Sequence, residues 1–414
     1  MTGSGSARRT DARFLFLRVL IAAISIATIP SAAFAVQCVI PRGLAGFHDA
    51  IGKIEAKERV RPLTVLHLGD SHISLDNFTR GLRTRWRDAY GDAGRGLMPG
   101  VPFRYYAPDG FDAGMSGPWA IASSLPADAS GPFGMQGFRI SGSDTSAAMT
   151  LHAEHPLTRI EIDAYGGPDT GAMLLKLGNA AALKLRTRRD VPGLVRLSVP
   201  AAEVRDVRIS PAGSGAVHIL GWSFSSSAAP GIRYDSFGVV AATASITSRW
   251  DRDVVRQQIA TLKPDLVILG YGTNEGYDNG LDLDGYGRLV SGFVDLVELA
   301  APDASIALLG PFDGARQGTG AACGGGWATP PNLDGVRGVL RNLAAARGAF
   351  FWDGGAAMGG RCAANEWAEA DPPFMYADRV HLRAAGAERL SAALWSALMG
   401  QGPGRAACGA ADRG

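Results

Sequence analysis

Asp378-Arg379-Val380-His381 places a carboxylate three positions before an imidazole, and Gly69-Asp70-Ser71-His72 places a hydroxyl directly after an apolar run. Serine, histidine and an acid are the residue types of nucleophilic acyl transfer, in which an imidazole takes the hydroxyl proton and a carboxylate orients the imidazole. A three-residue separation within a turn can set both side chains on one side, the carboxylate near His381 Nδ1 and Nε2 free to face Ser71. Gly270-Tyr271-Gly272-Thr273-Asn274-Glu275 adds a side-chain amide that can donate to an oxyanion, beside a glycine that lets backbone approach closely. Gly238, in the loop read for Tyr234-Asp235-Ser236-Phe237-Gly238-Val239, is the candidate for a second backbone donor. Plainer roles stay open at each position. Ser71 and Asp70 are favoured helix caps, Asn274 and Asp378 are turn formers, and His381 is a helix-start residue. His72, the sequence neighbour of Ser71, is expected to point elsewhere.

The elements around these residues follow from periodicity. Thr64 to Leu68 is a short, branched, mostly apolar run and predicts a buried strand, which Gly69-Asp70 breaks. Leu75, Phe78, Leu82 and Trp86 then recur at helical steps, so Ser71 falls at a strand-to-helix turn, where open α/β sheets place ligands. Leu44, Phe47, Ile51 and Ile54 mark a helix before the strand, and Gly91 to Gly100 reads as a glycine-rich loop. From residue 231 strands at 265 to 270, 305 to 309 and 349 to 352 alternate with amphipathic helices. That rhythm predicts an α/β fold with a doubly wound parallel sheet.

The middle of the chain has another period. Short alternating runs at Ala147 to His152, Leu157 to Ala164, Ala172 to Leu177, Leu194 to Val199, Val204 to Ile209 and Val217 to Phe224 predict strands, with turn clusters between them. This pattern fits a β-sandwich inserted into the α/β domain. The expected division is a catalytic domain in two parts, 36–105 and 230–400, the insert at 106–229 and a C-terminal tail at 401–414.

The first 35 residues stand apart. Arg8, Arg9, Arg13 and Arg18 precede the apolar run Val19 to Ile29, and Ala33-Phe34-Ala35 offers a small-x-small cleavage site. This is the pattern of a signal peptide, and it places the mature chain outside the cytoplasm, secreted or periplasmic. The apolar run is too short to span a membrane, which takes about 20 residues, so no integral span is expected after cleavage. Cleavage removes four arginines and one aspartate, taking the formal charge from +2 to −1. A near-neutral chain gives no electrostatic case for nucleic acid. Cys38, Cys323, Cys362 and Cys408 lack the close spacing of zinc ligands, so in an oxidising compartment two disulfides are expected and no metal. The predicted pairs are Cys38 with Cys408 and Cys323 with Cys362.

Taken together, the blocks at Ser71, Gly238, Gly272 to Asn274 and Asp378 to His381 resemble, in order, those of the SGNH or GDSL-type hydrolases. The resemblance implies a flavodoxin-like three-layer fold and a cofactor-free serine esterase. It implies Ser71 as nucleophile, His381 as general base and Asp378 as its orienter. Ser71 N–H, Gly238 N–H and the Asn274 side chain would form the oxyanion hole. His72 after the serine, Glu275 after the asparagine and the β-rich insert look like the branch that includes bacterial peptidoglycan O-acetylesterases. The expected substrate is an O-acetylated glycan of the cell envelope, with the insert as a possible glycan-binding module. An O-acetyltransferase with the same triad, and a non-catalytic glycan-binding protein, remain alternatives.

Overall fold

Residues 40–98, 100, 108–226, 231–318 and 320–400 are described by the computed structural model. The leader expected at 1–35, the tail expected at 401–414 and the expected Cys38–Cys408 pair lie outside them.

Leu63–Gly69 is buried along its whole length because it has a parallel neighbour on each side, Ile232–Gly238 and Leu266–Gly270. The full parallel sheet runs Phe350–Asp353, Ser305–Gly310, Leu266–Gly270, Leu63–Gly69, Ile232–Gly238, Asp92–Gly94. Side chains alternate between its faces. Leu63, Val65, Leu266 and Ile268 point into a core shared with Phe47 and Ile51, Leu82 and Trp86, and Leu390 and Leu394. These come from the helices Ala45–Glu55, Asn77–Tyr90 and Ala384–Leu398. Leu66, Leu68, Val267 and Leu269 point the other way, onto Ile259, Phe293 and Leu340 of Arg252–Leu262, Leu283–Ala300 and Leu333–Arg347. The result is the three-layer α/β arrangement that the alternation predicts.

The middle region is antiparallel, as its period-two pattern predicts, but it is one continuous nine-stranded sheet. Four of the expected strands fuse into two. Ala148–Gly166 and Gly193–Pro211 each run 19 residues and pair with each other, with register shifts between Pro200 and Asp206. Ala148–Gly166 takes Phe111–Ser116 on the first half of its other edge and Val217–Ser225 on the second. Met149 and Leu151 from one half share a core with Ile160 and Ile162 from the other, so the sheet curls round a single interior. The turn-like residues near Pro156 and Pro200 mark this irregular stretch, where the sequence suggests a break.

The expected loop at Gly91 to Gly100 instead holds two short strands. Asp92–Gly94 closes the edge of the parallel sheet, and Gly96–Met98 pairs with Val217–Ser225 of the antiparallel one. Gly94 and Gly96 take φ of 123° and 74°, a conformation that favours glycine, and Arg95 is buried between them. The antiparallel sheet therefore begins ahead of residue 106.

The strand Ile232–Gly238, which includes the residues read as a loop, is concealed in the sequence by its charges. Arg233 pairs with Glu161 of the antiparallel sheet at 2.7 Å and with Asp235 at 2.8 Å, and Asp235 accepts the N–H of Leu97 at 2.9 Å. Buried charges persist when each has a partner, and here the partners tie one sheet to the other.

Candidate active site

The helix expected after the central strand begins as one short turn, Ser71–Ser74, capped by Asp70, whose carboxylate accepts the N–H of His72 at 3.0 Å. Asp76, at φ 56°, breaks the chain before Asn77–Tyr90 continues. Asp76 is held by Arg83 at 2.7 Å, and these opposite charges outweigh burial in keeping its carboxyl well below the usual range. The plain capping role thus falls to Asp70. Ser71, buried at the head of the turn, has its hydroxyl directed at the chemistry-bearing end of the chain.

The second half of the site is a loop pinned at its base. Met375 and Leu382 form an antiparallel bridge, and Tyr376 N–H donates to His381 O at 2.9 Å. Between them Arg379 takes φ 54°, tightening the turn. Asp378 Oδ1 accepts the backbone N–H of Val380 at 2.9 Å and of His381 at 3.0 Å. Asp378 Oδ2 accepts His381 Nδ1–H at 2.8 Å. Burial works against the Asp378 anion, but these donors overcome it and hold the carboxyl at about 2. With Nδ1 donating, Nε2 is the free acceptor, and Ser71 Oγ lies 3.1 Å from it.

Arg379 fixes the turn from outside. Its guanidinium lies 4.0 Å from the centroid of the Trp327 ring and donates to Asn365 at 3.3 Å. Trp327 belongs to a small hairpin sheet, and Asn365 to the helix Ala363–Glu369. The predicted disulfide Cys323–Cys362 is formed and joins that hairpin to the start of that helix.

Ser71, Asp378 and His381 open onto a cleft of about 480 Å³, whose other lining residues are Leu75, Asn77, Val240 and Tyr376. The two remaining site candidates sit differently. Gly238 ends the strand beside Gly69, and a Cβ there would run into Asp70 O and Ser74 N, so glycine is what lets the Ser71 turn settle on its neighbour. The next N–H, that of Val239, donates to Gly69 O at 3.0 Å. Successive strand N–H groups face opposite edges, so the Gly238 N–H faces away from the central strand. Val240 and Ala241 follow, and Ala241 holds φ 62°, unusual for alanine. Asn274 anchors this segment, donating one amide N–H to Ala242 O at 2.8 Å. Neither Gly238 nor Asn274 is among the residues lining the cleft.

Asn77, Val240 and Tyr376 line the cleft but are not evident from sequence patterning. Val240 and Tyr376 are exposed apolar or aromatic side chains next to predicted blocks, which is the signal they offered. His72 turns away from the cleft, as expected, but bonds to Val380 O at 2.9 Å. Among the described residues no group of three or more His, Cys, Asp or Glu side chains is placed to hold a metal ion. No helix there is long and apolar enough to cross a membrane.

No protein-family model matches the chain, and no curated protein does. Among solved structures, a peptidoglycan O-acetylesterase superposes with a TM-score of 0.72 at 22% identity, covering 87% of this chain and 97% of its own. The chain therefore has that protein's fold, which is the fold that the resemblance to SGNH hydrolases implies. A family two carbohydrate esterase from Clostridium thermocellum (TM-score 0.31, 14% identity, 68% of this chain and 97% of that one) superposes too loosely to bear on the site. The same holds for an acetyl xylan esterase (TM-score 0.31, 17% identity, 40% and 81%).

Proposed function

We propose that this chain is a serine carbohydrate esterase that removes O-acetyl groups from a cell-envelope glycan, with peptidoglycan as the first substrate to test. The observation that carries the proposal is the relay Ser71 Oγ, His381 Nε2, His381 Nδ1, Asp378 Oδ2, with contacts of 3.1 Å and 2.8 Å. The fold shared with a peptidoglycan O-acetylesterase supports the choice of substrate.

In this proposal Ser71 Oγ attacks the acetyl carbonyl carbon while its proton passes to His381 Nε2, and Asp378 stabilises the resulting imidazolium. The carbonyl oxygen becomes an oxyanion, received by the N–H of Ser71 at the helix start and by the second amide N–H of Asn274. We assign the further backbone donor to the Val240–Ala241 segment in place of Gly238, whose N–H faces the other edge of its strand. Collapse of the intermediate breaks the bond to the sugar oxygen, which takes the proton from His381. Water then attacks the acetyl-serine with His381 as base, the bond to Ser71 Oγ breaks as Oγ takes the proton back from His381, and acetate leaves.

The antiparallel sheet offers a place for the rest of the glycan. A cleft of about 430 Å³ on it carries Asp112, His152 and Asp206 in one cross-strand row and Thr150, Arg208 and Lys176 in the next. Such polar rows suit a hydroxyl-rich chain. The Cys323–Cys362 disulfide, with the leader pattern expected over residues 1–35, supports a site of action outside the cytoplasm.

Acetate release from O-acetylated peptidoglycan, compared with acetylated xylan and longer-chain esters, tests the substrate. Replacing Ser71 by Ala should cut hydrolysis of a small acetyl ester by several orders of magnitude in a folded protein. Unchanged turnover in that variant would overturn the proposal. Acetyl transfer to an added glycan, in place of acetate release, would mark a transferase.

A further inference from the structure

His72 is almost fully buried, only 6% exposed, and is left unused by the relay beside it. Its two ring nitrogens face different elements. Nδ1 lies 3.2 Å from Asp70 Oδ1, and Nε2 lies 2.9 Å from the backbone carbonyl of Val380. A carboxylate and a carbonyl are both acceptors, so both contacts are hydrogen bonds only if each nitrogen carries a proton. The Thr273 hydroxyl, 3.4 Å from Nδ1, is the other polar neighbour, and Phe312 stands edge to the ring at 4.9 Å.

We propose that His72 is an imidazolium at neutral pH and a positioning residue, clamping the Asp378–His381 turn against the Ser71 turn through its bond to Val380 O. The clamp spans the gap that catalysis needs fixed. One end, Asp70, caps the turn that presents Ser71. The other end, Val380, precedes His381 directly. Asp70 lies on the same turn as His72, while Asp378 and His381 face it from the second turn, with ring centroids of the two histidines 5.6 Å apart. Glu275 is close enough to Asp70 for their charges to interact. Losing the Nε2 donor frees the His381 turn to drift from Ser71 Oγ, and displacement on the order of 1 Å can cost roughly a hundredfold in rate.

Electrostatics support this protonation state. Burial alone would lower the pKa of His72, but its bonds to Asp70 and Val380 overcome burial and raise it above the ordinary value. His67, also buried, is the contrast. Its partner is the Tyr234 hydroxyl at 2.6 Å, and burial drives it down to about 3, so it is neutral.

The inference rests on the esterase proposal for its kinetic consequence but not for its protonation state, so two measurements separate them. Side-chain 15N NMR of the whole protein should show both His72 nitrogens protonated at pH 7. A neutral-tautomer pattern there would overturn the inference, whether or not the protein hydrolyses esters. With a small acetyl ester, His72→Leu should lower kcat about tenfold to a hundredfold at unchanged KM while melting cooperatively. His72→Gln, which keeps one donor toward Val380 O, should recover part of that loss and flatten the alkaline fall in kcat. Wild-type kcat in a folded His72→Leu would overturn the positioning role. Acetyl-ester inactivity of the wild-type protein, with the imidazolium pattern present, would count against the esterase proposal alone.

Discussion

Glu275 Oε1 accepts the backbone N–H of Ala244 at 2.6 Å, which ties the turn carrying Asn274 to the segment running through Val240 and Ala241. The other carboxylate oxygen is buried with no partner. Burial pushes this carboxyl from 4.5 up to about 7, the Ala244 N–H restraining the rise and the Asp70 charge adding to it. A raised acid binds its proton more tightly when folded, so its contribution to stability is complete below the unfolded pKa and fades as pH rises through about 7. The shift corresponds to roughly 3 kcal/mol at most. Urea unfolding should therefore show stability falling between pH 5 and pH 8, and Glu275→Gln should flatten that slope. An equal slope in both proteins would remove Glu275 as its cause.

Gly238→Ala tests whether that glycine serves packing. A methyl group would press on Asp70 O and Ser74 N, which are backbone and cannot swing aside. Overpacking of this kind costs about 1 to 3 kcal/mol. The strain acts on the Ser71 turn, so kcat for a small acetyl ester should fall together with the melting temperature. A variant with wild-type melting and wild-type kcat would mean that the two segments are less closely packed than they are here.

Asp378→Asn addresses the tautomer of His381. An amide can turn its N–H₂ toward Nδ1, which moves the ring proton to Nε2 and deprives Ser71 of an acceptor. In serine hydrolases this change costs up to about 10⁴ in kcat, and a loss on the order of 10² to 10⁴ is expected here. The sign of the acid dependence is also set. Because the Asp378 carboxyl is lowered to about 2, its support for the fold is present above the unfolded pKa and is lost only as pH falls toward 2. A loss of less than tenfold in Asp378→Asn would show that the carboxylate does not orient the ring.

What the sequence made legible was local chemistry and period. The Asp378–His381 spacing and the run ending at Gly69 are short-range signals, and both fall where the sheet edge needs them. The strand Ile232–Gly238 was hidden because Arg233 and Asp235 are charged, and their partners Glu161 and Leu97 are brought near only by folding. The two 19-residue strands were hidden by Pro156 and Pro200, which suggest turns but fall where the ladder loses its regular register. His72 and Asn274 were visible as residue types. Their bonds to Val380 and Ala242 were not, since each crosses between elements far apart in the chain.

Tyr376 bears on substrate choice. It lies two residues before Asp378, remains 45% exposed and lines the cleft with Ser71 and His381. The Arg383 guanidinium stands 5.0 Å from its ring centroid, steadying the ring by a cation–π contact. An exposed aromatic held in this way suits the apolar face of a sugar ring, whereas an isolated acetyl group needs only the relay. Tyr376→Ala should raise KM for O-acetylated glycan about tenfold, equal to roughly 1.4 kcal/mol of binding. Its kcat and KM for a small acetyl ester should stay within about twofold, because the bond from Tyr376 N–H to His381 O is backbone and survives the change. Tyr376→Phe should behave as wild type on both substrates. If Tyr376→Ala weakens the glycan and the small ester equally, the ring is supporting the His381 turn and the sugar must be held elsewhere.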